Sequence, residues 1–300
     1  MKVAVKKVST VVLALICILG LMPQMQASAV TNITDNYTQT TAYNFGTWNS
    51  INSSGTAIMA NDAEESWFKF TLAANEHIYI RVSSDSSYEG MSVQIKDGSG
   101  INVGSSRSNP NDIIDTTGVT PALYIDVNND TSLTKTFYAV VSRGDIYDSA
   151  MYFSLMANNR IRTGSGTFTF SGTASNPGNS PLSSNGVDST ILNIDLSSNT
   201  AIPNNAIVTS VSTSGTQLPS QGNVHHKIRP YSVNTWYTST VSSATSGSYS
   251  ISLANNLQAK QIWYFKYNVM ATAKSTMSSV KITLRWQYDL HDTDYQIFIN

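Results

Sequence analysis

The feature that most constrains this chain is a succession of short runs in which apolar and polar residues alternate, each followed by a cluster of Gly, Asn, Asp or Ser. In residues 67–72, Phe68 and Phe70 lie on one face of an extended strand and Lys69 lies on the other. No run after the N-terminal segment has the period of an amphipathic helix, and a parallel α/β fold would need crossover helices. We therefore predict an all-β chain of two antiparallel β-sandwich or jelly-roll domains in tandem.

The alternating runs predict strands in both halves of the chain. In the first half they lie near residues 43–48, 67–72, 77–83, 91–96, 123–127, 136–143 and 151–157. In the second half they lie near residues 167–171, 189–196, 206–213, 224–229, 235–241, 248–253, 262–271 and 279–288. Between the halves, residues 158–166 are polar and contain Gly164 and Gly166, which is typical of a domain boundary. We predict one β-sandwich over residues 30–158 and a second over residues 166–300.

The first 29 residues have the pattern of a signal peptide. Lysines at positions 2, 6 and 7 precede an apolar run over residues 8–22, and Ala27-Ser28-Ala29 supplies the small residues that a signal peptidase requires. The apolar run is shorter than the roughly 20 residues that span a bilayer, so we expect no stable membrane anchor. The single cysteine, Cys17, lies in this segment, so the exported chain would have no disulfide. We expect a secreted, extracellular protein.

The charge of the exported chain argues against nucleic acid as a partner. The signal would remove three lysines and no acid, which leaves 15 Lys and Arg against 19 Asp and Glu and a net charge of −4. Nucleic-acid binding depends on a basic surface that neutralises phosphates. A weakly charged surface rich in Ser, Thr, Asn and Tyr instead suits recognition by hydroxyl, amide and aromatic contacts.

Residues 35–157 contain an ordered set of segments: 54–58, the acidic turn at 61–65, the aromatic strand at 67–72, and the segments 77–82, 93–100, 136–144 and 151–155. In their order and spacing they resemble the bacterial pre-peptidase C-terminal domain, a small jelly-roll-like β-sandwich attached to many secreted peptidases. The resemblance implies a non-catalytic module, and some relatives bind calcium or polymers such as collagen. In the second half, residues 202–211 resemble part of the jelly-roll P domains appended to secreted serine proteases.

The chain carries no recognisable catalytic motif. It contains neither a G-x-S-x-G elbow nor an H-E-x-x-H zinc helix. Of its histidines, His225 and His226 are adjacent, so on a strand they point to opposite faces and cannot share one metal ion. His291 precedes Asp292 in a polar segment where a carboxylate could orient its ring. We therefore predict that the protein is not an enzyme.

Two acidic segments are candidates for a structural calcium ion, although we expect no required cofactor. Calcium binds several carboxylate and carbonyl oxygens presented by turns. The candidate ligands are Asp62 and Glu64 in one segment, and Asp126, Asn128 and Asp130 in the other. Solvated β-turns are the alternative explanation for both segments.

Aromatic residues of the second half are the best candidates for ligand contact. Trp236, Tyr237, Trp263 and Tyr264 form two adjacent pairs, and exposed Trp and Tyr rings stack on sugars and are favoured at binding sites. Core packing is the alternative, because strand alternation places one member of each adjacent pair inside. We expect a non-catalytic binding or adhesion protein that recognises an extracellular polymer: a polysaccharide, peptidoglycan or a collagen-like matrix protein.

Two other functions remain open at this point. One is a secreted hydrolase whose site no motif reveals. The other is a β-pore-forming or assembly protein, which the Ser/Thr-rich run over residues 239–252 suggests.

Overall fold

The computed structural model describes residues 32–85, 87–103, 123–144, 148–240, 245–249 and 256–297. Over these residues the chain is all-β, with four sheets that build two β-sandwich domains, as the sequence predicted. A 3-10 helix at Trp48–Ser53 is the only helical segment of the described chain. Within those same ranges no helix is long and apolar enough to cross a membrane. The predicted signal peptide lies outside the described residues.

The first domain packs two four-stranded sheets against each other, in the orders β1-β3-β7-β5 and β2-β8-β4-β6. Every pairing is antiparallel except that of β1 with β3. Alternation along β3 places Phe68 and Phe70 in the core, where both side chains are fully buried. The strands are β1 (Tyr43–Thr47), β2 (Ala57–Met59), β3 (Glu65–Leu72), β4 (His77–Ser84), β5 (Ser92–Asp97), β6 (Leu123–Asn128), β7 (Lys135–Ser142) and β8 (Met151–Asn159).

The second domain has its own core between two five-stranded sheets. One sheet follows the order β10-β18-β13-β16, with β9 also paired to β18, and the other follows β11-β17-β14-β15, with β12 also paired to β17. Trp263, Phe265 and Tyr267 alternate along β17 and fill this core. The strands are β9 (Ile161–Thr169), β10 (Ala174–Asn176), β11 (Val187–Asp188), β12 (Leu192–Asp195), β13 (Ile207–Leu218), β14 (Val224–Pro230), β15 (Tyr237–Thr238), β16 (Ser246–Tyr249), β17 (Ile262–Val269) and β18 (Ser275–Asp289).

The residues in which the sequence analysis placed the domain boundary, 158–166, belong almost entirely to strands β8 and β9. β8 continues to Asn159 and β9 starts at Ile161, so that only the buried Arg160 separates them. The two glycines of this segment have a packing role, because Trp286 of β18 lies against β9. A Cβ on Gly164 would lie 2.5 Å from the Trp286 Nε1 atom, and a Cβ on Gly166 would lie 3.2 Å from its ring. The glycines of this segment thus leave room for the Trp286 ring against β9.

Other strand predictions differ mainly at their ends. Of the predicted strand at 235–241, the described residues 235–240 contain a strand only at Tyr237–Thr238, and the one predicted at 279–288 extends over Ser275–Asp289. The strand predicted at 248–253 is observed at Ser246–Tyr249, and residues 250–255 lie outside the described chain. The short strands Ala57–Met59 and Ala174–Asn176 were not predicted, because three residues are too few to show alternation.

Candidate functional site

One sheet of the second domain presents an outward face of cationic and aromatic side chains. Along β14, Val224, His226 and Ile228 are buried, so the alternate residues Lys227 and Arg229 point outward. β17 lies beside β14 in antiparallel register and places Tyr264 opposite Arg229 and Lys266 opposite Lys227. Trp236 reaches the same face from the loop between β14 and β15, and it is partly exposed. We call the five outward residues Lys227, Arg229, Trp236, Tyr264 and Lys266 the aromatic–cationic face.

Cation–π contacts hold this face together. The guanidinium carbon of Arg229 lies 4.4 Å from the centroid of the Tyr264 ring and 5.4 Å from that of Trp236. Nζ of Lys266 lies 4.3 Å from the Trp236 centroid. Such contacts contribute about 0.5–2 kcal/mol each, the larger values applying to desolvated pairs. The two rings and the guanidinium are therefore fixed relative to one another before any ligand arrives.

The charges of this face are only partly compensated. The Asp188 carboxylate accepts hydrogen bonds from Lys227 at 2.9 Å and from Lys266 at 2.6 Å. Burial alone would raise the pKa of Asp188, but the hydrogen bonds from Lys266, Lys227 and Asn268 outweigh it and lower the pKa to about 2. A single carboxylate thus serves two lysines, which leaves one positive charge in excess at this pair.

Arg229 has no carboxylate partner within the described ranges. Its Nη1 donates to Oδ1 of Asn234 at 2.8 Å, and its buried Nε donates to no acceptor of the described residues. A half-buried guanidinium without a counter-ion carries a desolvation cost that a ligand anion would relieve.

The structure separates the four predicted ligand-binding aromatics into two groups. Trp236 and Tyr264 are partly exposed and belong to the aromatic–cationic face. Trp263 is fully buried and donates from Nε1 to the Ala259 carbonyl at 3.0 Å, so it is a core residue, which corrects its assignment as a ligand contact. Tyr237 packs from the sheet edge against the core and is partly buried.

Sequence reasoning missed the cationic members of this face. The signal was present in the alternation of residues 225, 227 and 229 along one strand and of residues 264 and 266 along another. What the sequence did not show was that these two strands are neighbours in register, which brings Arg229 to Tyr264 and Lys227 to Lys266.

The two predicted calcium segments lie in different surroundings. Asp62 and Glu64 are exposed in the turn that precedes β3. Asp126 and Asn128 lie on β6, and Asp130 follows it. Across the described parts of the chain, no group of three or more His, Cys, Asp or Glu residues is placed to hold a metal ion. Calcium binding stays a prediction.

The second acidic segment belongs to a joint between the domains. Arg160 lies between β8 of the first domain and β9 of the second. It pairs through Nη2 with Oδ1 of Asp289 at 3.0 Å and donates from Nη1 to Oδ1 of Asn128 at 2.7 Å. His77 lies between two carboxylates, with Nδ1 2.6 Å from Oδ2 of Asp289 and Nε2 2.7 Å from Oδ1 of Asp130. The joint is therefore a polar network of carboxylates, one guanidinium and one imidazole that crosses the domain boundary.

A polar cavity of about 330 Å³ lies beside this joint. Asp126, Asp130 and Asp292 line it together with Arg160 and His291. The predicted carboxylate partner of His291 comes from the other domain, because Nδ1 lies 3.0 Å from Oδ1 of Asp126. Asp126 is also 3.5 Å from Nη1 of Arg160, so its oxygens already face cationic or proton-donating groups.

No family model matches this sequence. The chain is similar to the uncharacterized protein YbdN of Bacillus subtilis (strain 168), with 43% identity over 267 residues that cover 88% of this chain and 90% of YbdN. Among solved structures, the pre-peptidase C-terminal domain of a collagenase from Bacillus anthracis is similar to 38% of this chain over 93% of its own length, with 15% identity and a TM-score of 0.28. A putative secreted protein from Eubacterium rectale is similar to 84% of this chain over 80% of its own length, with 11% identity and a TM-score of 0.33.

These TM-scores are too low for either solved structure to inform the site. The sequence similarity to YbdN is much stronger evidence, since it extends over most of both chains. The chain belongs to the family of Bacillus subtilis YbdN.

Proposed function

We propose that this chain is a secreted, non-catalytic binding or adhesion protein that attaches to an extracellular polymer through the aromatic–cationic face of its second domain. The observation that carries the proposal is the fixed arrangement of Trp236, Arg229 and Tyr264 on the outward side of a β-sheet.

A rigid arrangement favours binding because little conformational entropy is lost when the ligand arrives. Tyr264 and Arg229 rise from neighbouring strands, and the cations Arg229 and Lys266 hold the Trp236 ring in place. Aromatic side chains combine a large apolar surface with a polar edge, which suits the alternating apolar and hydroxyl surfaces of sugars. The face therefore has the parts that a polymer-binding surface needs.

The first domain supports the same proposal. Its segments resemble the pre-peptidase C-terminal domain, which is non-catalytic and in some relatives binds polymers. The signal-peptide pattern of residues 1–29 would deliver both domains outside the cell, where such polymers occur.

Co-sedimentation with insoluble peptidoglycan, chitin, cellulose and collagen tests the proposal, with calcium present and with a chelator. We expect the mature chain to pellet with one of these polymers. The Trp236→Ala variant should lose most of this binding, since the partly exposed Trp236 ring is the main apolar surface that the face offers to the polymer. Tyr152→Ala is the matched control, because Tyr152 is a 54% exposed aromatic residue of the first domain. Equal pelleting of the Trp236→Ala variant and the wild type would overturn the assignment to this face, and no pelleting with any polymer would overturn the function.

The second candidate function is a hydrolase, and the polar cavity at the domain joint is the observation that favours it. Three carboxylates, those of Asp126, Asp130 and Asp292, line one cavity together with His291. Glycoside hydrolases use a pair of carboxyl groups on either side of the scissile bond as catalytic groups. Release of soluble sugars from the pelleted polymer, abolished by Asp292→Asn, would support this function. Binding without any release would exclude it for that polymer.

A further inference from the structure

The aromatic–cationic face is a positive patch on a chain with a net negative charge. Its side chains supply three cations, Lys227, Arg229 and Lys266, and the adjoining Asp188 supplies one anion. The whole chain has a formal net charge of −1, and the exported part would be more negative. A local excess of two positive charges on such a chain gives the face an electrostatic preference for anions.

Arg229 is the residue of this face that lacks a compensating carboxylate among the described residues, so it contributes most to the preference for anions. Its guanidinium lies against Tyr264 and near Trp236, where water is partly excluded, and no carboxylate of the described chain compensates it. The guanidinium fork matches a carboxylate with two parallel hydrogen bonds.

From these observations we infer that the polymer is an acidic polysaccharide whose sugar rings carry carboxylates, and that Arg229 pairs with those carboxylates. The inference rests on the proposed function and specifies its ligand. A carboxylated sugar places an anion and a stackable ring face in one unit. The face offers the complementary pair, since the Arg229 guanidinium lies 5.4 Å from the centroid of the partly exposed Trp236 ring. Phosphate polymers without sugar rings would satisfy the charges but leave the ring without a partner.

Asp188 has a second part in this arrangement. Its carboxylate draws Lys227 and Lys266 toward itself and cancels one of their charges. A carboxylated ligand competes with Asp188 for these lysines. Removal of the Asp188 charge should therefore strengthen ligand binding, an effect that a purely structural role of Asp188 would not produce.

Affinity measurements with polygalacturonate test the inference, with fully methyl-esterified polygalacturonate as the neutral polymer of the same backbone and inorganic polyphosphate as the anion without sugar rings. We expect binding to polygalacturonate that weakens with added salt, and at least about tenfold weaker binding to the ester and to polyphosphate. Arg229→Gln should weaken binding to polygalacturonate by about tenfold or more, and Asp188→Asn should strengthen it severalfold. Lys281→Gln, a charge change on an exposed residue of the opposite sheet, should leave it unchanged.

The outcomes separate the inference from the proposed function. Equal binding of the acid and its ester, or pelleting only with neutral polymers, would overturn the inference and leave the polymer-binding function standing. Binding to no polymer would overturn both. Binding of polyphosphate as tight as that of polygalacturonate would exclude the carboxylated sugar. Thermal melting of each variant shows whether a loss of binding comes from unfolding. If the Arg229→Gln variant is unfolded, the stronger binding expected for Asp188→Asn tests the inference instead, and its absence would overturn the inference.

Discussion

Asp289 of the second domain and His77 of the first are joined across the domain boundary, with Oδ2 of Asp289 2.6 Å from Nδ1 of His77. Both side chains are almost completely buried. Arg160 pairs with the other oxygen of the same carboxylate, and the backbone N–H groups of His291 and Asp292 donate to it as well. One carboxylate therefore ties together the start of β4, the crossing between β8 and β9, and the end of β18.

The first prediction concerns the removal of this carboxylate charge. Asp289→Asn leaves the guanidinium of Arg160 and the ring of His77 buried without their shared anion. Breaking a buried pair by removing one partner typically costs about 3–5 kcal/mol. We expect a loss of this size in the free energy of unfolding, measured by denaturant titration. Asp294→Asn, at an exposed position five residues later in the chain, is the control and should change little. A loss below about 1 kcal/mol for Asp289→Asn would show that the network does not stabilise the joint.

The second prediction is an acid-dependent loss of stability that originates at the same residue. Burial would raise the pKa of Asp289, but the hydrogen bond from His77, the backbone donors and Arg160 outweigh it and lower the pKa from 3.8 to about 2. A carboxyl with a lowered pKa stabilises the fold above its unfolded value and loses that contribution as the pH falls. We expect a loss on the order of 1–2 kcal/mol between about pH 4 and pH 2.

Unfolding free energies at pH 4.5 and at pH 2 measure this contribution. The Asp289→Asn variant should show a smaller change between these two conditions than the wild type, because it has no carboxyl to protonate. Parallel pH profiles for the two proteins would contradict the assignment of the acid sensitivity to Asp289.

How much of this could be predicted from the sequence depends on the distance along the chain over which each interaction acts. The alternation around Phe68 and Phe70 revealed buried strands, because a strand's face is set by residues two apart. The joint could not be predicted, since Asp289 meets His77 at a separation of 212 residues. The packing role of Gly164 was not predicted either, because its contact with Trp286 depends on the pairing of β9 with β18.

The candidate site shows the same limit. Trp236 and Tyr264 were predicted as ligand contacts from residue type alone, and the structure brings them to one face. Their cationic partner Arg229 was not predicted, because it reaches Tyr264 through the pairing of β14 with β17. Single-strand alternation states which side a residue faces but does not state which strand lies beside it.

The third prediction uses the adjacent histidines of β14. They point to opposite faces, as predicted, and His226 is fully buried with Nδ1 2.8 Å from Oγ1 of Thr213. Burial, with a smaller contribution from His225, lowers the pKa of His226 from 6.5 to about 4. The unfolded chain therefore takes up the proton first as the pH falls. The stability gained by keeping His226 neutral is complete above about pH 6.5 and is lost progressively toward pH 4.

We expect the wild type to lose up to about 3 kcal/mol of unfolding free energy between pH 7 and pH 4 through this group. His226→Gln should be less stable at pH 7 but should show a weaker dependence on pH across this range. His225→Gln removes the neighbouring, partly exposed ring and should retain most of the dependence. A His226→Gln variant that keeps the full dependence would place the titrating group elsewhere.

The last prediction tests whether Gly164 of β9 has a packing role. A Cβ on Gly164 would lie 2.5 Å from Nε1 and 2.8 Å from Cε2 of Trp286, distances that side-chain atoms do not tolerate. Trp286 is buried in the core of the second domain, so it cannot move away without displacing its neighbours. We expect Gly164→Ala to destabilise the protein by about 1–3 kcal/mol, the usual cost of overpacking a core. Gly222→Ala is the matched control, because a Cβ there meets nothing within 4 Å. Equal melting temperatures for the two variants would contradict the packing role of Gly164.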